Sequence, residues 1–393
     1  MFDKILKNIK PTKKEEEEVQ KKVDLFLKKI NSKLLNANAI VCGSFAKGTW
    51  LRNQHDIDIF VLFENNKNIS TRLEVVIKAA FEKYEKIHGS RDYFIVDYEN
   101  LSFELVPVLK IDQPEQAENI TDVTPMHVEW VKKYIDNKLK DEIRLAKRLL
   151  KANNCYGAET YIGGFSGYLV EILVIYFKDL LNLIKNAANW KYGEIIDIER
   201  NNKFSSEQKF PLTVIDPVQP NRNVSAAVTE EKFNLFTELC KNFSKKPSTK
   251  FFKETKISLK DYNLIFKVQP LKGNRDVVGT KMLKVFEIIK QELIVNGFEV
   301  VKAIWEWKDL GYFYFKVKRK RLEKEIKHFG PPIRFKEDCE KFKIKYKDLE
   351  IKNENDKLYI MLPRKFVKLE EIIKHVLNKE EIKNRVYSLI QIK

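Results

Sequence analysis

The sequence predicts an α+β multidomain chain, and three observations carry that expectation. Its 393 residues suffice for about two to four domains of roughly 100–200 residues each. Stretches with apolar residues at helical spacing are interleaved with short apolar or alternating runs, so neither an all-α nor an all-β architecture accounts for the pattern. The chain also opens with a helix, a strand, a Gly-Ser turn and a second strand, the order of a mixed α/β unit.

Composition narrows the class further. Hydrophobic residues make up 44% and charged residues 33% of the chain, enough apolar surface to offset the entropy of ordering and to exclude a disordered chain. Lys and Arg number 73 against 56 Asp and Glu, a formal net charge of +17, which makes a polyanion the natural partner. No run reaches the roughly 18 apolar residues of a membrane helix, and the start M-F-D-K-I-L-K-N has no apolar signal core. A cytoplasmic protein without membrane attachment is therefore expected. Cys42, Cys155, Cys240 and Cys339 are scattered singly, which argues against a disulfide framework or a zinc site. With five dispersed histidines, metal chemistry falls to carboxylates and so to magnesium.

Taken in order, from Lys13 to Leu35 apolar Val19, Val23, Leu25, Phe26, Ile30 and Leu34 recur at helical spacing. A short strand is expected over Asn38 to Val41 and another over Ile57 to Phe63, with G-S-F-A-K-G-T-W between them. Leu73 to Tyr84 reads as a helix, Tyr93 to Val96 and Ser102 to Leu109 as strands, and a helical pattern starts at Pro125. Asp141 to Trp190 is mostly helical, interrupted by a connection holding Gly157, Gly163, Gly164 and Gly167. That connection lacks the P-loop pattern and reads as tight packing. A helix over Glu230 to Phe243 follows D-P-V-Q-P-N-R-N-V-S-A-A, and K-K-P-S-T-K reads as a linker. Three domains are expected: 1–125, 126–250 and 251–393. The last should hold strands at Leu264 to Val268, Val300 to Trp307 and Tyr312 to Lys318, and a helix over Lys281 to Asn296. There Lys316, Lys318, Arg319, Lys320 and Arg321 follow the aromatic run Tyr312 to Phe315, pairing a stacking surface with charge for RNA phosphates.

The chemistry concentrates in Gly43-Ser44, Asp56-Ile57-Asp58 and Glu104. In a strand, residues i and i+2 share a face, so Asp56 and Asp58 point the same way about 7 Å apart. Two anions so placed need a cation, and Mg²⁺ with its preference for oxygen ligands suits them. Glu104, flanked by Phe103 and Leu105 where an unpaired carboxylate would be costly, supplies a third. Three carboxylates form a two-metal site in which a hydroxyl attacks a triphosphate and pyrophosphate leaves. Ser44, at the turn into a helix, offers its hydroxyl and backbone N–H to phosphate. The arrangement reads as a nucleotidyl-transfer site, whereas Cys42, in an apolar run, reads as core.

The stretch from Val41 to Phe63 resembles the catalytic signature of the archaeal-type (class I) CCA-adding enzymes, the tRNA nucleotidyltransferases. The resemblance continues through T-P-M-H-V-E-W at Thr124, the E-I-R-L-A-K-R-L-L-K segment at Glu142 with its C-Y-G-A-E continuation, G-F-S-G-Y-L-V-E at Gly164, and D-P-V-Q-P-N-R-N at Asp216. It covers roughly the first 250 residues, and fragments such as H-F-G-P-P and P-R-K-F beyond them. It implies a nucleotidyltransferase (polymerase-β-like) head with a mixed sheet over 1–125, a helical, nucleotide-selecting neck over 126–250, and an α/β body and tail over 251–393 that hold the tRNA acceptor stem. It further implies addition of C, C and A to the tRNA 3′ end from CTP and ATP, without a template and with Mg²⁺; a homodimer is an admissible assembly.

Residue by residue, the resemblance matches Asp56, Asp58 and Glu104 to the metal carboxylates, Glu104 standing where the family usually has aspartate. Ser44 and Lys47 match triphosphate contacts, the lysine replacing a more usual arginine and losing its bidentate fork. Thr124, His127, Lys147 and Tyr156 match further triphosphate and ribose contacts, and Arg222 matches the arginine that reads the incoming base. Cytosine and adenine both present an acceptor ring nitrogen beside an amino group, which suits a donor-only guanidinium. A poly(A) polymerase or oligoadenylate-synthetase-like transferase shares the head but makes a long or 2′-linked product. An RNA-binding pseudoenzyme would lose the carboxylates, and the arginine-and-aspartate template pattern of the bacterial-type enzymes is not evident.

Overall fold

The computed structural model describes every residue except His55, Ser90, Asn201, Asn202, Lys203 and Lys256, so His55 of the signature stretch lies outside the described residues. Two units are distinct, Met1–Lys256 and Ile257–Lys393.

In the first unit a short helix, α1 (Phe2–Ile9), precedes α2 (Lys13–Asn31). The start of α2 is fixed by a capping box, in which Thr12 Oγ1 accepts from the Glu15 N–H and the Glu15 carboxylate accepts from the Thr12 N–H. There follow β1 (Ala37–Val41), the single turn α3 (Gly43–Lys47), β2 (Asp56–Phe63), α4 (Ile69–Ala80), β3 (Glu85–Ile87), β4 (Tyr93–Tyr98) and β5 (Leu101–Leu109). These strands form one sheet in the order β1-β2-β5-β4-β3. Only β2 and β5 run parallel; the other neighbours are antiparallel, so the sheet is mixed as expected.

Strand alternation sorts β2 and β5 into two faces. Ile57, Ile59, Val61, Phe63, Phe103 and Leu105 pack with Val23, Phe26 and Ile30 of α2 and Leu73 and Ile77 of α4. The opposite face carries Asp56, Asp58 and Glu104 at one end, while Phe60, Val106 and Val108 pack with Val128 further along. The helix expected over Leu73 to Tyr84 instead spans Ile69–Ala80, because Phe81 turns extended to bury its ring in the core. The three-residue edge strand β3 was too short to show a period.

Helices then dominate: α5 (Thr124–Tyr134), α6 (Asn137–Ala152), α7 (Gly167–Phe177), α8 (Leu180–Ala187), a two-stranded parallel pair β6 (Glu194–Ile196) and β7 (Leu212–Val214), and α9 (Glu230–Lys245). Pro125 sits in the first turn of α5, where its missing N–H is harmless. Leu149 of α6, Leu173 of α7, Leu183 of α8 and Phe233 and Phe236 of α9 share one core with Ile5 and Ile9 of α1. The glycine-bearing connection between α6 and α7 is a packing device: a Cβ at Gly164 would lie 2.4 Å from the Cys155 carbonyl oxygen.

The second unit contains β8 (Leu264–Gln269), α10 (Arg275–Val295), β9 (Val300–Trp307), β10 (Gly311–Val317), β11 (Glu325–Pro332), α11 (Lys336–Lys345), β12 (Lys352–Glu354), β13 (Lys357–Pro363), α12 (Leu369–Leu377), α13 (Glu380–Lys383) and β14 (Ser388–Gln391). An antiparallel sheet runs β14-β8-β10-β9, and a smaller one runs β11-β13-β12. Met282 and Phe286 of α10 and Ile372 of α12 cover the larger sheet, and Cys339 and Phe342 of α11 cover the smaller. One expectation is corrected here. The aromatic run lies on β10, between β8 and β9, and Phe313, Tyr314 and Phe315 are buried, so these rings build the core and offer no stacking platform. Lys316, Lys318, Arg319, Lys320 and Arg321 are all exposed, with Lys318 paired to Glu299. Among the described residues no helix is long and apolar enough to cross a membrane.

Candidate active site

The site begins at the turn from β1 into α3. Gly43 has φ of +58°, and a Cβ there would lie 1.5 Å from Asp58 Oδ2, so only glycine lets the turn close over that carboxylate. The Cys42 N–H donates to the Asp58 carbonyl oxygen at 2.8 Å and ties the turn to β2. Cys42 itself is fully buried, and burial with Asp58 nearby pushes its thiol up to about 12, which removes it as a nucleophile. Ser44, Asp56 and Asp58 line one small cleft of about 90 Å³ with Trp50 and Gln54.

Parallel pairing of β2 and β5 sets Asp58 opposite Glu104, and Asp56 opposite Ser102. All three carboxylates therefore share the face turned away from α2. Burial, then the charges of Asp58 and Asp56, push the Glu104 carboxyl up to about 7. Asp58 is raised as well, by burial and Asp56, against the opposing pull of Lys47 and Lys147. Among the described residues no three His, Cys, Asp or Glu side chains converge closely enough to share one ion as they stand. The donor set nevertheless fits a hard divalent cation. Its ligands are all oxygens, their mutual repulsion is what a cation relieves, and Mg²⁺ typically takes one or two carboxylates and fills its sphere with water and substrate phosphates.

Burial and this repulsion together have a measurable consequence. Glu104 binds its proton more tightly folded than unfolded, so its contribution to stability is complete below about pH 4.5 and is lost as pH rises through about 7. In chelator-treated protein, thermal stability should fall between those values, and Glu104→Gln should flatten the fall. Melting curves across that window check it; equal slopes in parent and variant would dismiss Glu104 as its source.

Beside the carboxylates, Lys47, Thr49, Lys147 and Glu171 form a buried cluster. Lys47 Nζ donates to Glu171 Oε2 at 2.5 Å, and Lys147 Nζ donates to Glu171 Oε1 at 2.8 Å and Thr49 Oγ1 at 2.9 Å. Burial alone would raise Glu171, but the charges and hydrogen bonds of Lys147 and Lys47 hold it at about 2. Tyr168 links this cluster to a second one: Lys47 Nζ lies 5.9 Å from its ring centroid, and the His127 ring stacks on it at 4.3 Å.

Asp216 is the hub of that second cluster. It accepts from Arg222 Nη1 at 2.7 Å, from the Tyr168 hydroxyl at 3.2 Å and from the Val218 N–H at 2.9 Å. His127 Nε2 stands 3.1 Å from Asp216 Oδ2, without hydrogen-bond alignment. Burial pushes Asp216 up, but His127, Val218 and Arg222 outweigh it and hold the carboxyl at about 2. Arg222 is about a third exposed and lines a cleft of about 480 Å³ with Ser166, Phe210, Asn221 and Ala226.

The structure thus gathers Ser44, Lys47, Asp56, Asp58, Glu104, His127, Lys147 and Arg222 into adjoining clusters. Thr124 opens α5 one turn before His127. Tyr156 is half-buried, its hydroxyl 2.9 Å from where a Cβ on Gly167 would stand, and burial with Glu171 nearby pushes that hydroxyl up. Lys316 to Arg321 belong to the other unit. Sequence reasoning assigned no role to Glu171, Tyr168 or Asp216, although all three lie in the stretches that carry the family resemblance. The available signal was Glu171 itself, a lone charge in the otherwise apolar helix L-V-E-I-L-V-I.

Comparison with known proteins places the chain in a family. Residues 21–127 match the nucleotidyltransferase domain, 141–253 the second domain of tRNA nucleotidyltransferase, and 262–390 the C-terminal domain of CCA-adding enzyme. The CCA-adding enzyme of Nanoarchaeum equitans is 35% identical over 373 residues, covering 91% of each chain. That of Methanosarcina mazei is 32% identical over 88% of this chain and 81% of its own. That of Saccharolobus islandicus is 31% identical over 95% and 90%. Among solved structures, a cytoplasmic RNA terminal U-transferase superimposes with a TM-score of 0.51 at 15% identity, over 65% of this chain and 98% of that one. This likeness shows a shared fold. With a mixed-sheet nucleotidyltransferase unit, family matches along most of its length, and relatives above 30% identity over nine-tenths of it, the chain belongs to the archaeal CCA-adding enzymes, tRNA nucleotidyltransferases that depend on a divalent metal.

Proposed function

We propose that this CCA-adding enzyme works in the cytoplasm on tRNA. It attaches C, C and A from CTP and ATP to the 3′ end, without a template, using 1–125 as catalytic head, 126–250 as nucleotide-selecting neck and 251–393 as body and tail for the acceptor stem. The observation that carries the reading is the face on which Asp56, Asp58 and Glu104 stand together beside Ser44 and the Lys47–Glu171–Lys147 cluster. Asp56, Asp58 and Glu104 are the residues that would hold Mg²⁺, which when bound activates a hydroxyl and neutralises phosphate charge.

The tRNA 3′-hydroxyl attacks the α-phosphorus of the nucleotide in line, a new P–O bond forms, and the bond to the β-phosphate oxygen breaks to release pyrophosphate. Ser44, Lys47 and Lys147 bind the triphosphate and orient its leaving end, lowering the charge penalty on pyrophosphate. Thr124, His127 and Tyr156 hold triphosphate and ribose oxygens. Arg222, steadied by Asp216, donates to the acceptor edge of C or A. Incubating the protein with tRNA lacking its CCA, Mg²⁺ and each nucleotide tests the whole reading: two CMP and then one AMP should be added, and a long or 2′-linked product would overturn it.

The exposed run in the second unit is proposed as the phosphate-binding part of the tail. Replacing Arg319, Lys320 and Arg321 together by Ala should weaken tRNA binding and flatten its salt dependence by a slope of about 0.7–0.9 per lost contact. A salt titration of affinity that is unchanged in the variant would remove these residues from the interface.

A further inference from the structure

Glu171 is fully buried on a helix whose neighbouring residues are apolar on every side. An ion pair is an expensive way to hold two elements together, since well-packed apolar side chains do so as well or better. Its presence at this place points to a task that apolar packing could not perform. The arrangement of its partners points to that task. The carboxylate grips Lys47, at the end of α3, through one oxygen and Lys147, on α6, through the other. Thr49 completes the bridge, donating its hydroxyl proton to Glu171 Oε1 at 2.7 Å and accepting from Lys147 at 2.9 Å.

Donor use distinguishes the two lysines. Lys147 commits two N–H groups to Glu171 and Thr49, while its third reaches the Thr49 carbonyl oxygen only at 3.5 Å, a contact weak enough to be given up to a phosphate oxygen. Lys47 has Glu171 as its one hydrogen-bond acceptor among the described residues, and so keeps two N–H groups for a ligand. One carboxylate against two ammonium groups leaves the cluster a net positive charge next to the carboxylate face, where a polyphosphate chain would meet both lysines at once.

We propose that Glu171 is a positioning residue of the nucleotide site, fixing the ammonium groups of Lys47 and Lys147 in one buried bridge so that together they receive the triphosphate of either nucleotide. The inference rests on the assignment of those lysines to the triphosphate. Its order of dependence is definite: Thr49 and Lys147 hold Glu171, and Glu171 aims Lys47. Without the carboxylate, the two cations repel, and each must be ordered by the ligand itself at a cost in affinity.

The test uses the full chain and three substitutions. Glu171→Gln keeps the shape of the side chain and removes its charge. The KM values for CTP and ATP, and the inhibition constant of inorganic tripolyphosphate, should rise together by roughly tenfold, as expected for a lost charge-assisted hydrogen bond. The KM for tRNA should stay within about twofold, since the proposal assigns only the triphosphate to the cluster. Tripolyphosphate carries no base, ribose or reacting bond, so a merely structural role for Glu171 would lower the melting temperature without moving its inhibition constant selectively. Should Glu171→Gln fail to fold, Thr49→Val removes the hydroxyl that steadies the bridge and should raise the same constants about threefold, in line with one neutral hydrogen bond. Constants within twofold of the parent in a folded variant overturn the proposal. Lys47→Ala separates the two levels. If it leaves the nucleotide KM unchanged, the triphosphate assignment fails; if it raises that KM while Glu171→Gln does not, only the role of Glu171 fails.

Discussion

Asp58→Ala, and equally Asp56→Ala, should lower the rate of nucleotide addition by roughly 10³-fold or more while tRNA binding persists, because on the proposed assignment each is a metal ligand, and losing one removes several kcal/mol of transition-state stabilisation. The geometry makes the two positions non-redundant. Asp58 stands opposite Glu104 in the β2–β5 register and beneath the Gly43 turn, whereas Asp56 begins β2 at the exposed end of the same face. Both depend on the β2–β5 register, since a one-residue shift of β2 would carry both carboxylates to the apolar face. Single-turnover addition of CMP to a tRNA lacking its CCA end measures the loss, and a filter-binding titration measures the retained affinity. Activity within tenfold of the parent for either variant would sink the metal-site assignment. Asp58→Ala carries a further signature. It removes one of the charges that push Glu104 up, so the Glu104 carboxyl should titrate lower in that variant than in the parent.

Much of the catalytic sheet was legible because its signals are local. In I-D-I-F-V-L-F the odd and even positions separate into a core face and a carboxylate face within a single strand, and eleven residues separate Gly43-Ser44 from Asp56 in the same stretch. Glu104 was legible for a related reason, a carboxylate between Phe103 and Leu105 on a strand whose other face is buried. The buried bridge was not legible, since Glu171 lies 124 residues from Lys47 and 24 from Lys147. No periodicity reports a pairing across that distance; only the fold of α6 and α7 against the sheet unit creates it. Asp216 escaped for the same reason, as two of its partners, His127 and Tyr168, come from other elements.

The aromatic run failed differently. Tyr312 to Phe315 is followed by five exposed basic residues, and composition alone cannot say whether such rings face a nucleic acid or a core. Pairing settles it: with β8 on one side, β9 on the other and α10 packed above, Phe313 and Phe315 have no free face. The charges at the end of the strand remain available to phosphate, whereas the rings that precede them contribute hydrophobic burial.

Arg222→Ala should leave metal and triphosphate binding intact and lower selectivity against UTP and GTP by roughly 5- to 150-fold, the worth of the about 1–3 kcal/mol carried by lost base hydrogen bonds. Asp216 takes one guanidinium N–H at 2.7 Å and fixes the plane of the fork. The remaining N–H groups can only donate. A base that offers an acceptor ring nitrogen beside its amino group meets them, whereas uracil and guanine present an N–H and a carbonyl at the corresponding edge. Removing the guanidinium leaves Asp216 with His127, Tyr168 and the Val218 N–H, so the cluster keeps its packing while the cleft loses the donor proposed to read the base. Arg222→Lys should not restore selectivity, because a point charge cannot reproduce two donors held in one plane. Incorporation of all four nucleotides by the parent and both variants, on a tRNA ending just before its CCA, measures the effect. Equal selectivity in all three would show that Arg222 does not read the base, and a matching fall in CTP, ATP and tripolyphosphate binding would place it on the phosphates instead.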